Sequence, residues 1–185
     1  MNIHIVVYVL IISFLAGCQS QQVRDVTSPY FSPPAGSRLT LHKEIIIPPE
    51  QAHIYVQFGR LHTVNTTNLY YPNCKLKMKD ISADSQVIKP GSFQVIKTTS
   101  YTNIFMLTEL GRVQVAGLFT DASGDGDLGD IMYVTDLQLR STEQPHVDRI
   151  LCQQLDDPGL GEHVTVSEIM KTLGEIATLE LAKAE

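Results

Sequence analysis

Ten residues hold the densest concentration of potential ligands in the chain: Asp121, Ser123, Asp125, Asp127 and Asp130, spaced by alanine, glycine and leucine. Calcium loops place oxygen ligands at positions one, three and five, a glycine at six and a bidentate acid at twelve. Asp121, Ser123, Asp125 and Gly126 satisfy the first half, but the twelfth position is Met132, which has no oxygen to offer. An acidic hairpin loop between two strands accounts for the same residues through their turn-forming chemistry. Calcium binding with Asp130 as a substitute ligand is therefore the alternative reading, and no metal or other cofactor is the leading one. Histidines are the other candidates: His42, His53, His62, His146 and His163. His42 and His53 would approach each other if their strands pair. Asp156, Asp157 and Glu162 sit among glycines and a proline, where acids usually serve turns. No GxSxG elbow, HExxH helix, phosphate loop or dinucleotide fingerprint is present. Catalysis is not expected; a hydrolase with a dispersed site is the remote alternative.

The cysteines carry a different chemistry. Residues 3–15 contain no charged side chain and are too few to span a bilayer, which takes about 20 apolar residues. They suit the core of a secretory signal. Small residues Ala16 and Gly17 then lead into Cys18, where apolar character gives way to Gln19-Ser20-Gln21-Gln22. Leu15-Ala16-Gly17-Cys18 resembles the lipobox of bacterial lipoproteins, although the usual basic residue near the amino terminus is missing. The resemblance implies cleavage between Gly17 and Cys18 and transfer of a diacylglyceryl group, palmitate among its acyl chains, to the Cys18 thiol. An acidic residue after the cysteine often marks inner-membrane retention in such proteins. Gln19 here favours the outer membrane, facing the periplasm, over the inner one.

Two cysteines then remain, Cys74 and Cys152, and an even pair in an oxidising compartment reads as a disulfide. A metal or redox site would call for a CxxC or a nearby histidine; His146, six positions before Cys152, is the nearest. The formal charge of −6 belongs wholly to residues 18–185, because residues 1–17 include no Lys, Arg, Asp or Glu. That balance argues against nucleic acid as a partner. It leaves the N-terminal lipid as the link to the membrane and an envelope protein as the conceivable protein partner.

Three segments must position these residues. Residues 1–17 read as signal and 18–36 as a polar, proline-bearing flexible tether. Residues 37–185 read as one β-rich domain, with 43% apolar residues in the whole chain to supply a core. Period-two alternation predicts a strand over 39–47 ended by Pro48-Pro49. It predicts another over 54–58, paired antiparallel with the first. Cys74, Leu76 and Met78 alternate with Lys75, Lys77 and Lys79, so one face is core. The lysines read as a solvated face guarding an edge. Further strands are expected at 92–99, 101–107, 113–119, 131–139 and, briefly, 150–152. Short strands punctuated by Gly and Pro indicate an all-β or mainly β antiparallel sandwich or barrel-like domain. Thr165 and Glu168 match a capping box opening a C-terminal helix over about 164–182. Ile169, Met170, Leu173, Ile176 and Ala177 would share its apolar face.

Several of these stretches, in order, resemble a family of uncharacterised lipoproteins from Gram-negative bacteria. They are Tyr71-Pro72-Asn73-Cys74-Lys75-Leu76, Ile88-Lys89-Pro90-Gly91-Ser92-Phe93-Gln94-Val95, Leu151-Cys152 with Asp157-Pro158-Gly159, and the closing helix to Gly174. The family brings no known activity, so the resemblance implies envelope placement and the Cys74–Cys152 pairing. The expected function is a non-enzymatic binding or structural module of the envelope; a periplasmic small-ligand or calcium-binding protein is the alternative.

Overall fold

A computed structural model describes residues 24–108, 111–115 and 130–183. The strands are β1 (Arg38–Leu41), β2 (Ile45–Ile47), β3 (His53–Gln57), β4 (Arg60–His62), β5 (Asn73–Met78) and β6 (Gln86–Ile88). They continue with β7 (Gly91–Thr108), β8 (Gly111–Val115), β9 (Ile131–Arg140) and β10 (Val147–Asp156). Helix α1 (Val166–Leu173) and strand β11 (Ala177–Glu180) follow. The main sheet runs β11-β1-β7-β9-β10-β5-β3-β4, and β8 adds to β7 as a hairpin. Every pairing is antiparallel, and the sheet curls into a half-barrel. The mainly β, barrel-like class with a helix near the C-terminus is thus the observed one.

Alternation explains how the sheet builds its core. Leu39, Phe93, Leu137, Ile150, Leu76 and Ile54 come from six different strands and are all buried against the same cluster. Ile169 and Leu173 of α1 cover that concave side. Each such side chain contributes about 1.5–3 kcal/mol relative to exposure. At its centre Cys74 and Cys152 face each other directly across β5 and β10, bonded, with Cα atoms 4.0 Å apart.

Several expected elements exist with different limits or partners. The 39–47 segment keeps its alternation, with Leu39, Leu41, Ile45 and Ile47 all buried, but it divides at His42. β1 joins the main sheet, whereas β2 pairs β6 in a separate ribbon. Neither pairs with β3, contrary to the hairpin expected across Pro48–Gln51. Glu50 turns there with φ 59°, and both edges of β3 are already occupied by β4 and β5. The two strands expected over 92–107 form the single strand β7; a bulge between Val95 and Lys97 absorbs the irregularity. β10 has ten residues in place of three.

The helix begins as expected. Thr165 Oγ1 accepts from the Glu168 amide at 3.2 Å, and Glu168 Oε2 accepts from the Thr165 amide at 2.9 Å. It ends eight residues later at Gly174, well short of 182. Ile176 and Ala177 fit a helical face and an alternating strand equally well by spacing. The free edge of β1 decides, since β11 pairs along all four of its residues. The expected tether is also docked from Arg24 onward. The Val26 carbonyl accepts from the Ser167 amide at 2.9 Å, Thr98 Oγ1 donates to the Pro33 carbonyl at 2.6 Å, and Phe31 packs on the core.

Gly174 is where the end of α1 meets the β3–β4 turn. Its φ of 52° suits glycine, and a Cβ there would lie 2.7 Å from the Gly59 Cα. Gly174→Ala should therefore destabilise the protein by about 2 kcal/mol or more, from backbone strain and overpacking together. Chemical denaturation measures this directly; an unchanged midpoint would show that the contact yields freely.

Candidate functional site

The convex side of the half-barrel is built from the residues that alternate with the core. At one end it is walled by residues 63–72. Gln57, only 2% exposed, holds that segment down: its Nε2 donates to the Asn68 carbonyl at 2.8 Å, and its Oε1 accepts from the Asn68 amide at 3.1 Å. The Leu155 amide donates to the Leu69 carbonyl at 2.7 Å. Leu69 packs on Met132, Val134, Leu151 and Leu155, a small apolar cluster on this outer side. A buried amide with both ends satisfied makes the wall specific in position as well as stable.

Beside this wall the pairing of β3 with β5 creates a compact cationic group. His53 stands opposite Lys77 and Tyr55 opposite Lys75. The His53 and Tyr55 rings meet edge to face at 5.4 Å, and Lys75 Nζ lies 5.6 Å from the Tyr55 ring centre. The lysines were expected to guard an exposed edge, but β5 is interior, flanked by β10 and β3. Both lysines are half-buried, and no carboxylate comes within ion-pair distance of either among the described residues. Burial pushes the Lys75 ammonium below the ordinary lysine range, and the Lys77 charge adds to the effect. His53 is lowered by burial first and then by Lys75 and Lys77. The next cation along, Arg149 opposite Lys77, is spent on acids. It reaches Asp136 at 2.8 Å and Asp148 at 2.6 Å.

A second feature lies at the other end of the sheet. Arg38, Gln94 and Arg140 align across β1, β7 and β9 and, with residues 141–143, border a cleft of about 570 Å³. Its lining is mixed: Glu143 belongs to it, and Glu180 stands beside Arg38 on β11.

The candidates singled out from sequence distribute as follows. Cys74 and Cys152 are joined. Gly17, Cys18, Asp121, Ser123, Asp125 and Asp127 lie outside the described residues. Asp130 accepts a hydrogen bond from the Tyr70 hydroxyl. His42 does not meet His53; its Nε2 sits 2.7 Å from Thr178 Oγ1, because β1 pairs β11 rather than β3. His62 faces Tyr55 from β4, and His163 lies edge-on to Tyr133 at 5.7 Å. The His146 carbonyl accepts from the Lys79 amide, and Asp156 Oδ1 accepts from the Asp157 amide. Among the described residues no three His, Cys, Asp or Glu side chains gather as metal ligands. Gln57 and the His53–Lys77 pairing escape sequence reading. Alternation marks Lys75 and Lys77 as one face but says nothing of which strand lies alongside.

Comparison with known proteins returned no matching family model, no matching characterised protein and no matching solved structure. The chemistry of the site therefore rests on its own geometry: a cationic, donor-rich surface suited to holding an anion.

His163 shares the lowered basicity of His53, again mainly through burial, with a hydrogen bond to the Val134 backbone opposing it. A depressed folded value means that the unfolded chain takes up protons first. Stability from these two histidines is full above about pH 6.5 and is lost as pH falls from there through the folded values. Melting temperature should be flat near pH 7.5 and decline towards pH 5.5, with a shallower slope in a His53→Gln, His163→Gln variant. Equal slopes would remove both histidines from the account.

Proposed function

We propose that this chain is a lipid-anchored envelope protein, acylated at Cys18 and held on the periplasmic face of the outer membrane as a non-enzymatic binding module. The observation that carries the reading is the Cys74–Cys152 bond. Both residues are fully buried in the core of the half-barrel, so the pair is part of the fold rather than a surface accident. Closing a 78-residue separation restricts the unfolded chain by about 4.5 kcal/mol in the entropy model, and measured gains are commonly about 2–4. A fold fastened by such a bond supports the reading of a compartment where thiols oxidise.

The docked segment adds a geometric consequence. The Arg24 guanidinium donates to the Ala182 carbonyl at 3.1 Å, and only five residues separate Arg24 from Cys18. Fully extended, that span reaches about 20 Å. Two or three acyl chains on Cys18, each methylene contributing about 0.8 kcal/mol, would hold the domain close to the lipid surface.

Cys18→Ala should abolish fatty-acid labelling and leave an unprocessed precursor; unchanged labelling would overturn the anchor. Non-reducing mass analysis of the mature chain should find no free thiol at Cys74 or Cys152. Replacing both by serine should lower stability by about 2–4 kcal/mol in urea denaturation, and parent-like stability would detach the fold from an oxidising compartment.

A further inference from the structure

Lys75 and Lys77 present an electrostatic imbalance that the fold itself leaves standing. Like charges at neighbouring positions of a sheet repel. Across the sheet they face His53 and Tyr55 on β3 and Leu151 and Arg149 on β10; one strand further lie His62 and Arg60 on β4 and, on β9, Asp136, which with Asp148 meets the Arg149 charge. No acid among the described residues ion-pairs with the two ammonium groups, in a chain whose formal charge is −6. The Tyr55 ring lies near Lys75, but a cation–π contact of about 0.5–2 kcal/mol leaves the charge in place.

We infer that His53, Tyr55, Lys75 and Lys77 form a binding site for a phosphate monoester. The spacing fits. Directly paired residues have Cβ atoms about 5 Å apart, and next-but-one residues lie about 6.6 Å apart along a strand. Two ammonium groups and an imidazole can therefore surround one tetrahedral dianion. Lysines act as point charges that follow the several oxygens of a phosphate, whereas a planar carboxylate suits the fork of an arginine, and the nearby Arg149 is already occupied by acids. The site sits in the interior of the sheet next to the wall pinned by Gln57, so the backbone positions that carry its donors are fixed by pairing on both sides. A bound dianion supplies the countercharge that both half-buried lysines lack among the described residues. The phosphate can belong to a soluble phosphorylated molecule or to a lipid headgroup. This inference deepens the binding-module half of the preceding proposal and is independent of the anchor, which fatty-acid labelling tests separately.

The test uses the full mature chain in neutral detergent, with glycerol 3-phosphate as probe and acetate as the competing anion. Glycerol 3-phosphate should move the His53 imidazole midpoint upward by NMR titration and, at a hundredfold excess over Kd, raise the melting temperature by about 5 °C or more. Acetate at equal concentration should do neither. Lys75→Met with Lys77→Met should weaken binding at least tenfold while melting no lower than the parent in phosphate-free buffer, since it removes two repelling charges. In bilayer discs, a His53 response to phosphatidic acid but not to glycerol 3-phosphate assigns the headgroup as source, and the converse assigns a soluble ligand. No His53 response to either phosphate, an equal response to acetate or to phosphatidylcholine discs, or undiminished binding by the double variant would overturn the site. The His53 readout in the parent protein needs no variant to fold.

Discussion

The pairing of β5 with β10, fastened by the Cys74–Cys152 bond, is the constraint from which the rest of the architecture follows. Strand register is all-or-none: a slip of one residue would turn Cys74, Leu76 and Met78 outward and drive Lys75 and Lys77 into the core. A covalent link between directly opposed residues forbids that slip. It fixes β3 on one side and β9 on the other, and so sets both what the concave side buries and which cations gather on the convex side.

That two-sidedness gives one sheet an apolar face and a charged one. Inward residues form an apolar cluster closed by α1 and by the β2–β6 ribbon. Outward residues are organised by a few polar devices, chiefly Gln57 and the Arg149 acid pairs, which among the described residues leave Lys75 and Lys77 without an acid of their own. Burying a cation partway without an acid carries a cost that apolar residues at the same positions would avoid. That cost falls on a surface already shaped by the loop that Gln57 pins.

Local patterns made the element types and the core face readable, while partnership was not. The alternation of Cys74 to Met78, the capping box at Thr165 and Glu168 and the strand at 131–139 all follow from side-chain periodicity and backbone chemistry within a few residues. The pairing of β1 with β11 rather than β3, the merger of two expected strands into β7 and the shortness of α1 depend on which edges lie vacant in three dimensions. Ile176 and Ala177 show the limit well, since one spacing serves a helix and a strand and only the edge of β1 chooses. The candidate site was half visible for the same reason: its lysines share a strand with Cys74, but His53 and Tyr55 join them only through a long-range pairing.

The adjacency of β1 and β11 has a consequence for biogenesis. Strand Arg38–Leu41 finds its outer neighbour only in residues Ala177–Glu180, so a nascent polypeptide emerging from the ribosome lacks this stave of its sheet until residue 180 has been made. Contacts so distant in sequence form late and slowly. Until that edge closes, the first strand keeps an unpaired outer side and the chain behind it stays loose enough to be drawn through a narrow opening.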